Sequence, residues 1–282
     1  MKKLDELLAN NGPRILSLTR MVVAFLFMAH GTQKLFGFPS SRPVESVELF
    51  TLMGLAGVLE VFGGLAIFLG IFTRPIAFIL SGEMAVAYFT GHASRSFWPL
   101  FNGGDLAMFY SFFFLYLAVA GPGPWSLDHK RGKTRPGGFP ARYEQQALGL
   151  LRIIVAFLFI PHGTEDMIGW PWPANEEPFQ GPDFSRINGY GHLIEMLLGP
   201  FILVGLFTRP IAFILSGEMA VAYFRNHQPR GFFQIVNGGE DTTFFCWIFF
   251  YFAAVGGGAW ALDRLRKNRK SAEPVLTSSS NW

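Results

Sequence analysis

Long apolar stretches separated by short polar segments recur along the chain, at roughly residues 15–36, 47–72, 75–89, 106–120, 148–168, 187–207, 210–224 and 242–255. A helix that crosses a bilayer needs about 20 mostly apolar residues. The pattern therefore predicts an all-α, polytopic membrane protein with eight transmembrane helices. The third and seventh stretches are short and each carries a glutamate, Glu83 and Glu218. They are read as spans because their flanks demand a crossing. The first stretch follows Met1-Lys2-Lys3, as a secretory signal would, but no small-residue cleavage site follows it. It is read as an uncleaved span.

The eight stretches are two sets of four. Phe72–Phe89 is repeated without change, all eighteen residues, as Phe207–Phe224. Arg20 and His30-Gly31-Thr32 return as Arg152 and His162-Gly163-Thr164 at an offset of 132. Glu60, His92 and Asn102-Gly-Gly return as Glu195, His227 and Asn237-Gly-Gly at an offset of 135. The slip falls in the first outer loop, where the second half has the longer Trp170–Asp183 segment. The expected organisation is a first four-helix repeat at 1–128 and a basic linker at 129–147. A second repeat at 148–263 and a basic, disordered tail at 264–282 complete it. An even number of spans per repeat makes the two four-helix bundles parallel, related by an axis along the membrane normal.

Composition supports lipid as the solvent. Half of the 282 residues are hydrophobic and 15% are charged, against about 25% in soluble domains. The net charge of +3 does not indicate nucleic acid, because the basic residues sit in short segments beside apolar runs. Fifteen of them fall in the segments on the N-terminal side of the membrane and six on the other. The positive-inside rule then places both termini in the cytoplasm of a prokaryotic cell, across its inner membrane. The single cysteine, Cys246, excludes a Cys-pair redox mechanism carried by this chain alone.

The polar residues inside the spans are the candidate chemistry. A charge at the bilayer centre costs about 2.5–3.5 kcal/mol on insertion scales, so each such residue must face the bundle and find a partner. An Arg–Glu pairing between the first span and the second or third is the simplest arrangement. The candidate polar pocket comprises Arg20, His30, Lys34, Glu60, Glu83, His92 and Asp105 in the first half. Arg152, His162, Glu195, Glu218, His227 and Glu240 are the second-half members. Two readings stay open: a polar network that fixes helix register, or a pocket opening outward around His30, Lys34, His92, Glu60 and Glu83. Asn102-Gly-Gly-Asp105 reads most simply as a helix cap. His192 and Glu195 share a helix face, but Gly57 stands where the second half has His192, so no repeated metal site is supported. Haem held between His30 and His92, or His162 and His227, would require facing rings. No haem, metal or nucleotide signature is present.

These residues, in this order, resemble the DoxX family of four-helix membrane proteins. The resemblance runs through Arg20, His30-Gly31-x-x-Lys34, Glu60 with Gly63-Gly64, Thr73-Arg74, Glu83 and the Gly-Pro-Gly-Pro-Trp-Ser-Leu-Asp of 121–128. It covers most of 14–128 and again 148–263, so the chain resembles a tandem DoxX protein. The resemblance implies a membrane component that accompanies quinone-linked, sulfur or oxidative-stress redox systems, with a quinone as the cofactor to test and redox proteins as partners. A small-solute or proton-coupled transporter and an assembly scaffold are the alternatives. The second half departs from the pattern, with Asp166 at the place of Lys34 and Glu165 at that of Gln33. The expectation is one competent pocket in the first half and an altered second half.

Overall fold

The computed structural model describes residues 2–40, 47–132, 140–171, 179 and 181–266. The expected tail from 267 onward, residues 133–139 of the linker and the middle of the Trp170–Asp183 loop lie outside these described residues. Among the described residues every regular element is helical and there is no strand. Helices stand on all eight apolar stretches. In chain order they are α1 (Lys2–Phe36), α2 (Leu52–Leu69), α3 (Thr73–Gly91) and α4 (Asp105–Ala120) in the first half. In the second they are α5 (Glu144–Ile168), α6 (Ile187–Val204), α7 (Thr208–Ala222) and α8 (Glu240–Val255). By length and composition α1, α2, α5 and α6 are able to cross a membrane, and α4 is a shorter apolar helix.

Each helix packs on its neighbours in sequence, and the ring closes because α8 packs on α1. The first helix of each half thus meets the last helix of the other, α1 on α8 and α5 on α4. The cause lies in α4 and α8, which are apolar around their whole circumference and need cover on every side. Phe109 of α4 stacks on Phe244 of α8 with ring centroids 4.6 Å apart. Phe27 of α1 meets Phe114 edge-on at 4.9 Å, and Phe159 of α5 meets Phe249 at 4.8 Å. The hydroxyls of Tyr116 and Tyr251, equivalent residues of the two halves, lie 2.5 Å apart. The buried apolar side chains form one cluster drawn from both halves. The halves therefore share a core.

One end of the molecule is clamped by equivalent arginines in both halves. Arg20 is fully buried in α1, yet it meets no glutamate. Its Nε donates to the Pro122 carbonyl at 2.9 Å and its Nη2 to that of Trp125 at 2.6 Å. Its Nη1 donates to the carbonyls of Phe68, at 2.6 Å, and Ile67. The expected Arg–Glu pairing is corrected by a simple rule of helix ends. The last four carbonyls of a helix have no intrahelical partner and carry the negative end of its dipole, and α2 ends within reach of Arg20. Arg152 does the same with Ile202 at 2.7 Å, Leu203, Gly257 at 2.8 Å and Ala259 at 3.4 Å.

The same end explains two further repeated motifs. Phe72, at the start of α3, has φ of 46°, so the chain turns sharply after α2. The Asp128 carboxylate accepts from the Phe72 and Thr73 amides at 3.0 and 2.8 Å, capping α3 from a distant segment. Asp263 caps α7 through Phe207 and Thr208, both at 2.8 Å. Arg74 closes the end of α4, donating to the carbonyls of Ala118 at 3.1 Å, Val119 and Ala120 at 3.3 Å. Gly70, in the left-handed conformation at φ 68°, lies so close to Ser126 that no Cβ fits.

Replacing Asp128 with Ala removes a helix cap, a loss of about 0.5–2 kcal/mol. Replacing Arg20 with Ala strands several buried carbonyls, each worth about 1–3 kcal/mol. Thermal unfolding in mild detergent should therefore rank the variants R20A, then D128A, then wild type in rising stability. An R20A protein as stable as D128A would contradict the clamp.

Candidate functional site

The polar residues at the opposite end of α1 and α5 form two related but unequal sites. In the first half Gly31 lets α1 approach α2 closely: a Cβ there would lie 2.7 Å from the Val61 nitrogen and 2.8 Å from the Glu60 Cβ. Small residues permit such backbone contact between apolar helices. The approach brings the Lys34 ammonium to Glu60 Oε1 at 2.5 Å, with Glu60 at 2% exposure. Glu60 sits on a π-helical turn, Leu59–Gly63, inserted in α2. Gly57 keeps the space open, since a Cβ there would crowd Leu35 and Lys34 at 3.0–3.3 Å.

One turn deeper, His30 Nε2 lies 2.8 and 2.9 Å from the two oxygens of Glu240, a residue of the other half. The Tyr110 hydroxyl donates to the same carboxylate. The contact between α1 and α8 thus puts a second-half residue into the first-half site. Glu83 lies close enough to Glu60 and Lys34 to feel their charges, yet neither of its buried oxygens has a hydrogen-bond partner.

In the second half the charges are rearranged. Gly163 allows the same close approach of α5 to α6, a Cβ there falling 2.7 Å from the Glu195 Cβ. Asp166 replaces Lys34, and its carboxylate binds Nδ1 of His192, the residue that replaces Gly57. The basic side chain has moved from the first helix of the repeat to the second. Glu195 keeps the place of Glu60 but loses its lysine, and its buried Oε2 has no partner. Around it lies a cavity of about 570 Å³, between α5, α6, α7 and α8. Its lining includes His162, Asp166, His192, Glu195, Glu218, His227 and Asp241, with Phe159, Phe245 and Ile214 as apolar wall. Buried oxygens of Glu218 and Asp241 and Nε2 of His162 also lack partners.

The contrast at the histidines follows from two further differences. Phe245 stands where the first half has Tyr110, its ring 5.8 Å from that of His162. Asp105 stands where the second half has Glu240, one methylene shorter, and its Oδ1 has no partner. Nε2 of His30 is therefore paired and Nε2 of His162 is not.

Most of the sequence-derived candidates thus fall into groups, with Glu83 beside the first-half network and Asp105 at the place of Glu240. Arg20 and Arg152 belong to the clamp at the other end of α1 and α5. His30, Lys34, Glu60 and Glu240 form the paired first-half network, while His162, Glu195, Glu218 and His227 line the second-half cavity. His92 turns Nδ1 toward the Asn102 carbonyl at 3.1 Å, as His227 does toward that of Asn237 at 3.3 Å. His30 is thus not opposed to His92 as a haem pair requires. The open cavity lies in the half expected to be altered, the reverse of the sequence expectation. Asn102 does not cap α4 directly; its Oδ1 accepts from Gly104 at 2.8 Å and its amide donates to Ser96, so it builds the loop. Among the described residues no group of three or more His, Cys, Asp or Glu is placed to hold a metal ion. Sequence reasoning missed Tyr110, His192 as the partner of Asp166, and Asp241, which falls at Leu106 of the first half.

A family model described as DoxX matches the chain twice, over residues 15–93 and 147–228. The chain belongs to the DoxX family. An uncharacterized protein of Haemophilus influenzae is 45% identical over 122 residues, 42% of this chain and 91% of its own length. The inner membrane protein YqjF of Escherichia coli is 29% identical over 126 residues, 40% of this chain and 89% of its own length. Each of these DoxX relatives is about one repeat long. No solved structure matches the chain.

The unequal pairing predicts unequal tolerance. Glu240→Ala leaves His30 and the Tyr110 hydroxyl without an acceptor, costing about 1–3 kcal/mol, whereas Asp105→Ala removes a carboxylate that has an unpartnered oxygen. Unfolding in detergent should show a clear loss for E240A and little change for D105A. Equal losses would contradict the asymmetry.

Proposed function

We propose that this DoxX protein crosses a bacterial cytoplasmic membrane eight times, with both termini inside. Its second repeat offers an outward-facing cavity through which a small solute or proton is bound and passed. The carrying observation is the 570 Å³ cavity lined by Glu195, Glu218 and Asp241, each with one buried carboxylate oxygen that has no hydrogen-bond partner. Ionisable groups without partners inside a membrane are costly and mark ion or substrate paths. Register alone does not need them, since the clamp at Arg20 and Arg152 already fixes the helix ends. The equivalent contacts of Arg20 and Arg152, and of Asp128 and Asp263, at the helix ends support a parallel arrangement of the two halves. A membrane location accords with YqjF, named as an inner membrane protein.

A second reading keeps the membrane subunit of a quinone-linked redox system. Its support is His162, whose Nε2 lacks a partner beside the rings of Phe159 and Phe245. That donor or acceptor in an aromatic wall fits a quinone head group, which would supply the electron-carrying chemistry; Glu218 would stand across from it as a proton-holding group.

One assay separates the two. Proteoliposomes enclosing a pH-sensitive dye, given an inside-negative potential, should acidify faster than empty vesicles, and Glu218→Gln should slow them markedly. Rates equal to empty vesicles, together with His162-dependent binding of a short-chain quinone, would favour the redox reading over transport.

A further inference from the structure

The duplication supplies an internal comparison for the second-half cavity. In the first half the Lys34 ammonium reaches Glu60 at 2.5 Å, and its stem runs over Gly57. In the second half the equivalent carboxylate, Glu195, is retained at 5% exposure, but Asp166 stands in place of the lysine. What is missing between the halves is one primary ammonium on a four-carbon stem. What stands there is a cavity of about 570 Å³; Oε2 lacks a partner in both Glu60 and Glu195, but only Glu60 has an ammonium on its Oε1.

We propose that this cavity binds a small organic cation bearing a primary ammonium group, which takes at Glu195 the place Lys34 takes at Glu60. The assignment rests on the cavity being a ligand site, as proposed above. Three features support it. Of the basic side chains that line the cavity, His192 is engaged through Nδ1 by Asp166 and Arg225 is exposed. Glu218, within electrostatic reach of Glu195, supplies a second acceptor with a free oxygen. Phe159, Phe245 and Ile214 offer apolar wall for a short hydrocarbon stem. A carboxylate or phosphate ligand would instead meet Glu195, Glu218 and Asp241 and be repelled.

Calorimetry on the purified full chain in nanodiscs tests this with three probes of matched length: n-butylammonium, 1-butanol and butyrate. The wild type should bind n-butylammonium at a single site. The other two should bind about tenfold or more weakly, as expected for loss of a charge-assisted hydrogen bond. Asp166→Lys restores the tethered ammonium and should abolish binding, and Glu195→Gln should weaken it. Lys34→Ala empties the first-half place and should add a second site for n-butylammonium, a gain that no misfolded variant would show. If 1-butanol binds as tightly as n-butylammonium and D166K retains both, the ammonium assignment is overturned while the cavity reading stands. If none of the probes binds wild type or K34A, the cavity reading itself fails.

Discussion

A guanidinium buried in an apolar helix must find acceptors, and the whole arrangement follows from where it finds them. Arg20 and Arg152 are fully enclosed and take the unsatisfied carbonyls at the end of the second helix of each repeat, together with those of the turn after the fourth. One side chain thereby ties three segments at one end of the bundle. Asp128 and Asp263 tie the third helix to the same turn. With that end fixed by hydrogen bonds rather than by side-chain packing alone, the other end is free to diverge.

The divergence is a rearrangement of charge around the same close helix contact, although Glu60 sits on a π-helical turn and Glu195 on regular α-helix. Gly31 and Gly163 give both halves the same close helix contact, so Glu60 and Glu195 occupy equivalent places. Lysine on one side and aspartate on the other then decide whether the carboxylate is neutralised from within the chain. In the first half it is, and the histidine beneath is held by Glu240 and Tyr110. In the second half a histidine moves in to satisfy the aspartate, and the carboxylate is left facing a cavity. The crossing of α8 onto α1 makes this a property of the pair: one half contributes the residue that closes the other.

Much of this was legible in the sequence. The eight apolar stretches and the offsets of 132 and 135 located all eight helices and their pairing into repeats. The buried Arg, Glu and His residues were found because charge in an apolar run is conspicuous. Their partners were not, for physical reasons. Backbone carbonyls at helix ends carry no sequence signal, so Arg20 was matched with glutamates. Periodicity places residues on faces within one helix, but Glu240 reaches His30 through packing between halves, which no spacing reports. The exchange of Lys34 for Asp166 and of Gly57 for His192 was visible as two separate differences. Only the fold makes them one compensating change, because it brings positions 166 and 192 together.

The central claim is that the second half is open where the first is closed, and water-soluble thiol labelling measures it directly. In a Cys246→Ser background, Ile194→Cys lines the second-half cavity, and Leu59→Cys is its first-half equivalent beside the Lys34–Glu60 pair. A methanethiosulfonate reagent carrying an ammonium group, applied from outside, should modify the thiol at 194 many times faster than the one at 59. Equal rates, or faster reaction at 59, would contradict the account.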